Sequence, residues 1–368
     1  MIDERKGKPS MSRLYRLAHC PGSWNLELGL RGDNGGTDLD SPSVWAAQGT
    51  RIHAALEGTL DPEELTTVEY PTYSRCLSEF ETVLEMVFGE ETKSLEIIRE
   101  ERMWYGDNLD ISGQPDVVII HEGRCLIADY KTGRGDVEPA SENYQLRGLA
   151  VSAWKHYPGI EEVIVCIIQP LAEGDKKVTM ARYDEDHLKG AELQLIQILK
   201  DIQDPESPRK PGFKQCQYCP AQANCPEALE EINTMSELEI PGEQQLADVM
   251  PDLLTRCKTA EQIIKGIREK ATDMLTNDPA AVDGWHLKPG FTRQSIIDLS
   301  TLFQRLKDNY GIDAGEFAGS CNITKTKVKE LIKDSTKFKG SELDNAVADS
   351  LDGLTKSTQN KASLTKDK

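Results

Sequence analysis

Residues 111–132, ISGQPDVVIIHEGRCLIADYKT, constrain the fold more than any other stretch of the chain. Residues 117–120 are a β-branched run, Glu122-Gly123 supplies turn chemistry, and residues 125–128 form a second apolar run, so the segment reads as a β-hairpin. Whether the loop holds two residues (Glu122, Gly123) or four (121–124), symmetric closure sets Asp116 opposite Asp129, with Cβ atoms roughly 5 Å apart. Side chains alternate along a strand, so Asp129 and Lys131 share one face and Tyr130 takes the other. Two carboxylates at that spacing repel by roughly 3 kcal/mol at an effective dielectric of about 20. A divalent cation would offset the repulsion, because Mg²⁺-like ions take carboxylate oxygens, and Lys131 adds a further positive charge. The same residues also suit the ion-paired polar face of an ordinary hairpin, since Gly-x-x-Asp and Asp-x-Lys are short patterns.

The flanking segments supply the rest of an α/β fold. Upstream, VWAAQGTRIHAALEGTL from Val44 reads as a helix that carries His53 and Glu57 four residues apart, hence on one face. That face offers an imidazole and a carboxylate to a metal, or a surface ion pair. Residues 73–88 form a second helix. A strand near 95–98 continues toward Met103, and either Glu100 or Glu101 leads a carboxylate toward the hairpin. Downstream, a helix over 141–154, capped by Ser141, carries Tyr144 and Gln145 near its start. Residues 162–169, EVIVCIIQ, read as a strand buried on both faces. The intervening helix is long enough for a crossover, so this strand pairs in parallel with that of Asp129. A shorter strand over 177–183 and an amphipathic helix over 186–202 follow. The expected class is α/β, with a small mixed central sheet flanked by helices.

Cysteine usage and charge narrow the function classes. Nine cysteines in 368 residues are too sparse, and odd in number, for a disulfide framework. A reduced, cytoplasmic compartment follows, and no apolar run approaches a membrane span. The net charge of −19 argues against a surface that coats nucleic acid broadly, though a local basic channel with bound cations can still hold a phosphate backbone. Three cysteines are clustered: Cys216, Cys219 and Cys225 give C-x2-C-x5-C, and zinc or an iron–sulfur cluster needs four ligands. Cys20, at a Pro-Gly break in a helical segment over 12–30, is the leading fourth ligand, with Cys257 as its rival. A link from Cys20 to the trio would close a loop worth roughly 5 kcal/mol in chain entropy.

Four segments partition the chain: a flexible lead-in over 1–11, the α/β domain with its cysteines over 12–230, a mainly helical region over 235–354, and a disordered tail over 355–368. Residues 244–275 read as helices interrupted at Pro251. Residues 313–334 hold two short helical patterns with Lys325, Lys327 and Lys329 on the second, which suits a solvated lysine face or a helix-turn-helix contact.

Taken together, Gly113-Gln-Pro-Asp116, Asp129-Tyr-Lys131-Thr-Gly133 and Tyr144-Gln145-Leu146 resemble the successive motifs of RecB-type nucleases in the PD-(D/E)XK superfamily. His53 in GTRIHAALEG matches the upstream histidine of that group. Cys20 with Cys216, Cys219 and Cys225 is similar to the iron–sulfur clasp of the AddB nuclease domain. The segments LAHCPGSW and WAAQGTRIHAALE look closest to an uncharacterised phage and prophage family. The nuclease resemblance covers about residues 12–230, and Pro115 beside Asp116 suggests an edge or a bulge there.

The resemblance implies a restriction-endonuclease-like core and a metal-dependent DNA exonuclease acting in phage or bacterial replication and recombination. It implies Mg²⁺ or Mn²⁺ on Asp116, Asp129, His53 and the Tyr130 carbonyl. Lys131 would orient or deprotonate the attacking water, and Gln145 would position the nucleophile or the DNA backbone. It further implies a [4Fe-4S] cluster on the four cysteines, with Zn²⁺ as the alternative. DNA and replication or recombination proteins are the implied partners. A non-catalytic DNA-end-binding protein that keeps the fold is the alternative function.

Overall fold

The computed structural model describes residues 7–33, 44–66, 68–89, 95–106, 108, 110–133, 135–236, 243–287, 299–310, 313–321, 328–330, 332–333, 336 and 338–351. The chain divides into two units, Met1–Leu287 and Lys288–Lys368. The first is built on a five-stranded sheet of order β1-β4-β5-β6-β7. Its strands are β1 (Ile97–Arg99), β4 (Val117–His121), β5 (Arg124–Tyr130), β6 (Glu162–Ile168) and β7 (Val178–Tyr183). A separate ribbon pairs β2 (Met103–Tyr105) with β3 (Ile111–Gly113). Neighbouring strands run antiparallel except β5 and β6, which are parallel and joined through α5 (Tyr144–His156). The mixed sheet and the crossover both match the sequence pattern.

Alternation explains why the sheet is covered on both faces. On β6, Val163, Val165 and Ile167 enter one core with α5 and with α6 (Glu185–Gln203). Ile164, Cys166 and Ile168 enter the other, against α3 (Val44–Glu57) and α4 (Tyr70–Phe88). Each such fully buried side chain contributes roughly 1.5–3 kcal/mol by leaving water. Packing begins before residue 12, since Met11 is fully buried between the ribbon and α5. α1 (Leu14–His19) and α2 (Gly22–Asp33) follow, separated at Cys20-Pro21.

Three local expectations need correction. Asn143, not Ser141, caps α5, its Oδ1 accepting from the Leu146 N–H at 3.0 Å. The strand expected to run from 95 to Met103 is two strands in different sheets, because Glu100 between them adopts φ 51°. Pro251 does not interrupt a helix: α9 runs from Glu243 to Asn277 through it. α9 packs against α7 (Phe213–Cys216) and α8 (Pro226–Ser236), and that packing offsets the missing N–H. Among the described residues no helix is long and apolar enough to cross a membrane.

The second unit contains α10 (Leu299–Tyr310), α11 (Ala314–Ser320) and α12 (Gly340–Leu351). Phe303 packs on Phe317, and Lys329 pairs with Asp344 at 2.5 Å. Lys325 and Lys327, and the tail over 355–368, lie outside the described residues.

Candidate functional site

The hairpin turn is two residues. Glu122 and Gly123 both have positive φ, 47° and 75°, the conformation of a turn whose twist matches the flanking strands. The ladder then runs from His121↔Arg124 to Val117↔Ala128. One further step of this register sets Asp116 opposite Asp129. Pro115 lies just outside β4, so it costs the ladder no donor. Past the last ladder pair the Tyr130 N–H donates instead to Asp116 Oδ2 at 2.5 Å.

Each aspartate gathers its own partners. Asp129 is buried, and Lys131 Nζ stands 2.6 Å from its Oδ2. Gln145, at the start of α5, donates from Nε2 to Asp129 Oδ1 at 2.9 Å. Asp116 meets His53 Nδ1 at 3.2 Å. α3 brings His53 in because Gly49, one turn earlier, lets the helix approach the loop: a Cβ there would stand 3.3 Å from Thr132 Oγ1. The Tyr130 ring turns to the opposite core, beside Phe80.

Glu100 is the residue that sequence reasoning left undecided against Glu101. Ligand atoms of His53, Glu100 and Asp116 lie within 4.8 Å of one another, a group able to hold a divalent cation. Glu101 instead accepts from the Tyr157 hydroxyl at 3.0 Å. The left-handed backbone of Glu100, uncommon outside glycine, is held by Gln114, whose Nε2 donates to the Glu100 carbonyl at 2.9 Å. Two acids where a strand should have continued were the only sequence signal.

The electrostatics follow from this crowding. Burial together with the charges of Asp116 and Glu57 pushes the Glu100 carboxyl up to about 8. Burial and Asp116 also raise Asp129, with Lys131 opposing. Burial alone would raise Asp116 too, but hydrogen bonds from His53 and the Tyr130 N–H hold it below the usual carboxylate range. Burial works against protonation of His53 and Lys131, yet the aspartates beside them raise both. An arrangement that must withhold or share protons to seat its carboxylates is one that a cation relieves.

A close chain crossing brings Cys20 beside the segment that precedes Cys216. Gly22 crosses so close to the 207–210 segment that a Cβ would stand 2.2 Å from the Ser207 carbonyl oxygen, and its N–H donates to Pro208 O at 3.2 Å. That crossing brings Cys20 Sγ to the Lys210 N–H at 3.1 Å. Cys216 Sγ accepts from the Gly212 N–H at 3.4 Å, and Arg16 stands 3.5 Å from Cys219 Sγ. Burial pushes the Cys216 thiol up to about 11, and Cys219 adds to that rise. Cys225 opens onto α8, its thiol turned to Glu227 Oε2 at 3.4 Å. Burial raises the thiols of Cys216, Cys219 and Cys225, while the Arg16 guanidinium and backbone N–H groups act against it, and no three of the four sulfur atoms lie within 4.8 Å of one another.

Solved structures resembling the chain include one described as SSO0001, at 16% identity, covering 60% of this chain and 86% of that one with a TM-score of 0.28. LHK-Exo in complex with dAMP is 12% identical over 54% of this chain and 89% of its own, with a TM-score of 0.28. A candidate exonuclease from Eubacterium rectale is 14% identical over 56% and 87%, with a TM-score of 0.35. Overlaps this loose leave function to be argued from the site. No curated protein matches the chain. Residues 8–367 match the family described as a protein of unknown function, DUF2800, and the chain belongs to that family.

Proposed function

We propose that this protein is a metal-dependent deoxyribonuclease of PD-(D/E)XK type, an exonuclease that processes DNA ends in phage or bacterial replication and recombination. One observation carries the reading: Asp129 sits between Lys131 and Gln145 while Asp116, opposite it in the extended register, sits with His53 and Glu100. A structural ion pair has no need of so many carboxylates at one point.

In this reading His53, Glu100 and Asp116 hold Mg²⁺ or Mn²⁺, with Asp129 and the Tyr130 carbonyl as further oxygen donors. When bound, the cation supplies Lewis acidity toward the scissile phosphate. Lys131, fixed by Asp129, orients the attacking water and stabilises charge on the phosphorane-like transition state. Gln145 shares Asp129 and positions the DNA backbone or the water. Cys20, Cys216, Cys219 and Cys225 would hold a [4Fe-4S] cluster, or Zn²⁺, as a clasp between the chain's start and the segment after α6 within a nuclease domain over 12–230. Such a clasp supplies cross-linking rather than chemistry. The site belongs in a reduced cytoplasm.

The test is digestion of end-labelled single- and double-stranded DNA in Mg²⁺ and Mn²⁺ with Asp129→Asn and Lys131→Ala. Each change should cost a hundredfold or more in rate, on the order seen for a lost charge-stabilising group, while circular dichroism stays native. Equal digestion by the wild type and both variants would refute the assignment. Anaerobic purification with metal analysis tests the clasp: a brown protein absorbing near ~400 nm supports iron–sulfur, and a colourless one holding zinc rejects it.

A further inference from the structure

The net charge of −19 repels DNA over most of the surface, so binding must be concentrated where cations and stacking groups meet. One such place adjoins Gln145. Tyr15 and His19 of α1 stack at 4.2 Å between ring centroids, and Tyr144 packs edge-on to both, at 5.5 and 5.3 Å. All three rings are half-buried. Lys214 Nζ lies over the Tyr15 ring, 5.5 Å from its centroid, and Arg147 lies over the Tyr144 ring at 5.0 Å, so a base that stacks on either ring takes the place of a long, movable cationic side chain. Arg147 donates to neutral acceptors, Gln194 Oε1 at 3.0 Å and the Ser141 carbonyl at 3.4 Å. Lys214 pairs with Glu138 at 2.5 Å.

We infer that this aromatic cluster, Tyr15, His19 and Tyr144 with Lys214 and Arg147, is the surface on which a single-stranded DNA end stacks on its way to Gln145 and Asp129. The inference rests on the nuclease reading and names its substrate class. Bases within a duplex are already stacked on each other, so an aromatic platform gains only from unpaired ones. The cations would take the intervening phosphates. At Lys214 a phosphate must displace Glu138, so that cation contributes less than an unpaired one would. The cluster and the site share the first turn of α5, where Tyr144 precedes the glutamine bonded to Asp129. Gln145 also lines a cavity of about 230 Å³ with Ser10, Ser12, Arg102 and Gln114. That volume is below the roughly 300 Å³ at which small-molecule pockets begin, so it suits a phosphate and part of its sugar, not a base pair.

The test is binding of a fluorescent oligothymidylate and of a blunt duplex to the full chain, with Ca²⁺ alone as the cation. Tyr15→Ala and Tyr144→Ala should each weaken single-strand binding about tenfold, Tyr144→Trp should restore it, and duplex binding should change by less than about twofold. Unchanged single-strand binding by both alanine variants, or equal losses for single strand and duplex, would overturn the proposal. Fluorescence of the Tyr144→Trp variant provides a measurement that does not depend on the alanine variants folding: quenching by oligothymidylate and not by duplex, beyond that of the wild type's five tryptophans, is expected, and no excess quenching counts against it. Cleavage that is indifferent to these tyrosines sinks the platform alone. Tyrosine-dependent single-strand binding with no cleavage in Mg²⁺ or Mn²⁺ sinks the nuclease reading alone.

Discussion

Replacing Glu100 by Gln keeps its shape and hydrogen-bonding capacity and removes its charge. Two carboxylates 4.8 Å apart repel by ~3.5 kcal/mol at an effective dielectric of about 20, and Glu100 stands at or within that distance of Asp116. Because Glu100 is only half-buried, solvent screening leaves about 1–2 kcal/mol of this as stability. Its folded-state value, about 8, lies above the ordinary 4.5. The folded protein therefore binds a proton that the unfolded chain has released, and stability present at low pH is lost as pH rises from 4.5 through about 8. Metal-free Glu100→Gln should lack that part of the loss and exceed the wild type by about 1–2 kcal/mol above this window. It should also bind Mn²⁺ at least about tenfold more weakly, a difference of ~1.4 kcal/mol. Urea unfolding in EDTA across this pH range and Mn²⁺ calorimetry measure the two effects. A variant with the wild-type pH slope and undiminished Mn²⁺ affinity would refute both the crowding argument and the place of Glu100 in the site.

Two further substitutions probe the cysteine end of the domain. Glu27 is fully buried among Arg13, Arg16 and Arg31, so Glu27→Gln removes the one carboxylate these three cations share and should cost about 3–5 kcal/mol in urea unfolding. Burial would raise the Glu27 carboxyl, but Arg16 and Arg13 hold it below 4.5, so its contribution is present above that value and lost as pH falls. An acid-unfolding midpoint that does not move in the variant would show that the network contributes nothing. Gly22→Ala puts a Cβ 2.2 Å from the Ser207 carbonyl and must push the Cys20 turn away from residues 207–210. Metal content after anaerobic purification should fall while the sheet persists, and full metal loading would show that Cys20 is not a ligand.

The hairpin was legible because everything that fixes it is local. A β-branched run, a two-residue turn and alternation determine the register, and these put Asp116 opposite Asp129 and Lys131 on the face of Asp129. The crossover helix was legible for a similar reason, since an apolar strand too far along to pair by a hairpin implies parallel pairing. Glu100 was not, because the choice between adjacent glutamates turns on one backbone angle, and that angle is held by a side chain from another strand ribbon's end. Pro251 misled because proline's cost is a local quantity, whereas the packing of α9 on α7 and α8 that offsets it is not.

By itself, then, the sequence determined the mixed sheet and the register of its hairpin, and with it where Asp116, Asp129 and Lys131 stand along the strands, all of which depend on periodicity and turn chemistry over neighbouring residues. Tertiary structure decided the rest. Whether His53 reaches Asp116 and whether Gln145 touches Asp129 depend on helices packing against a sheet from opposite faces, and the choice of glutamate depends on the backbone of Glu100 that Gln114 holds. The close approach of Gly22 to the Ser207 carbonyl is likewise a tertiary feature, and no pattern along the chain encodes what lies opposite a glycine.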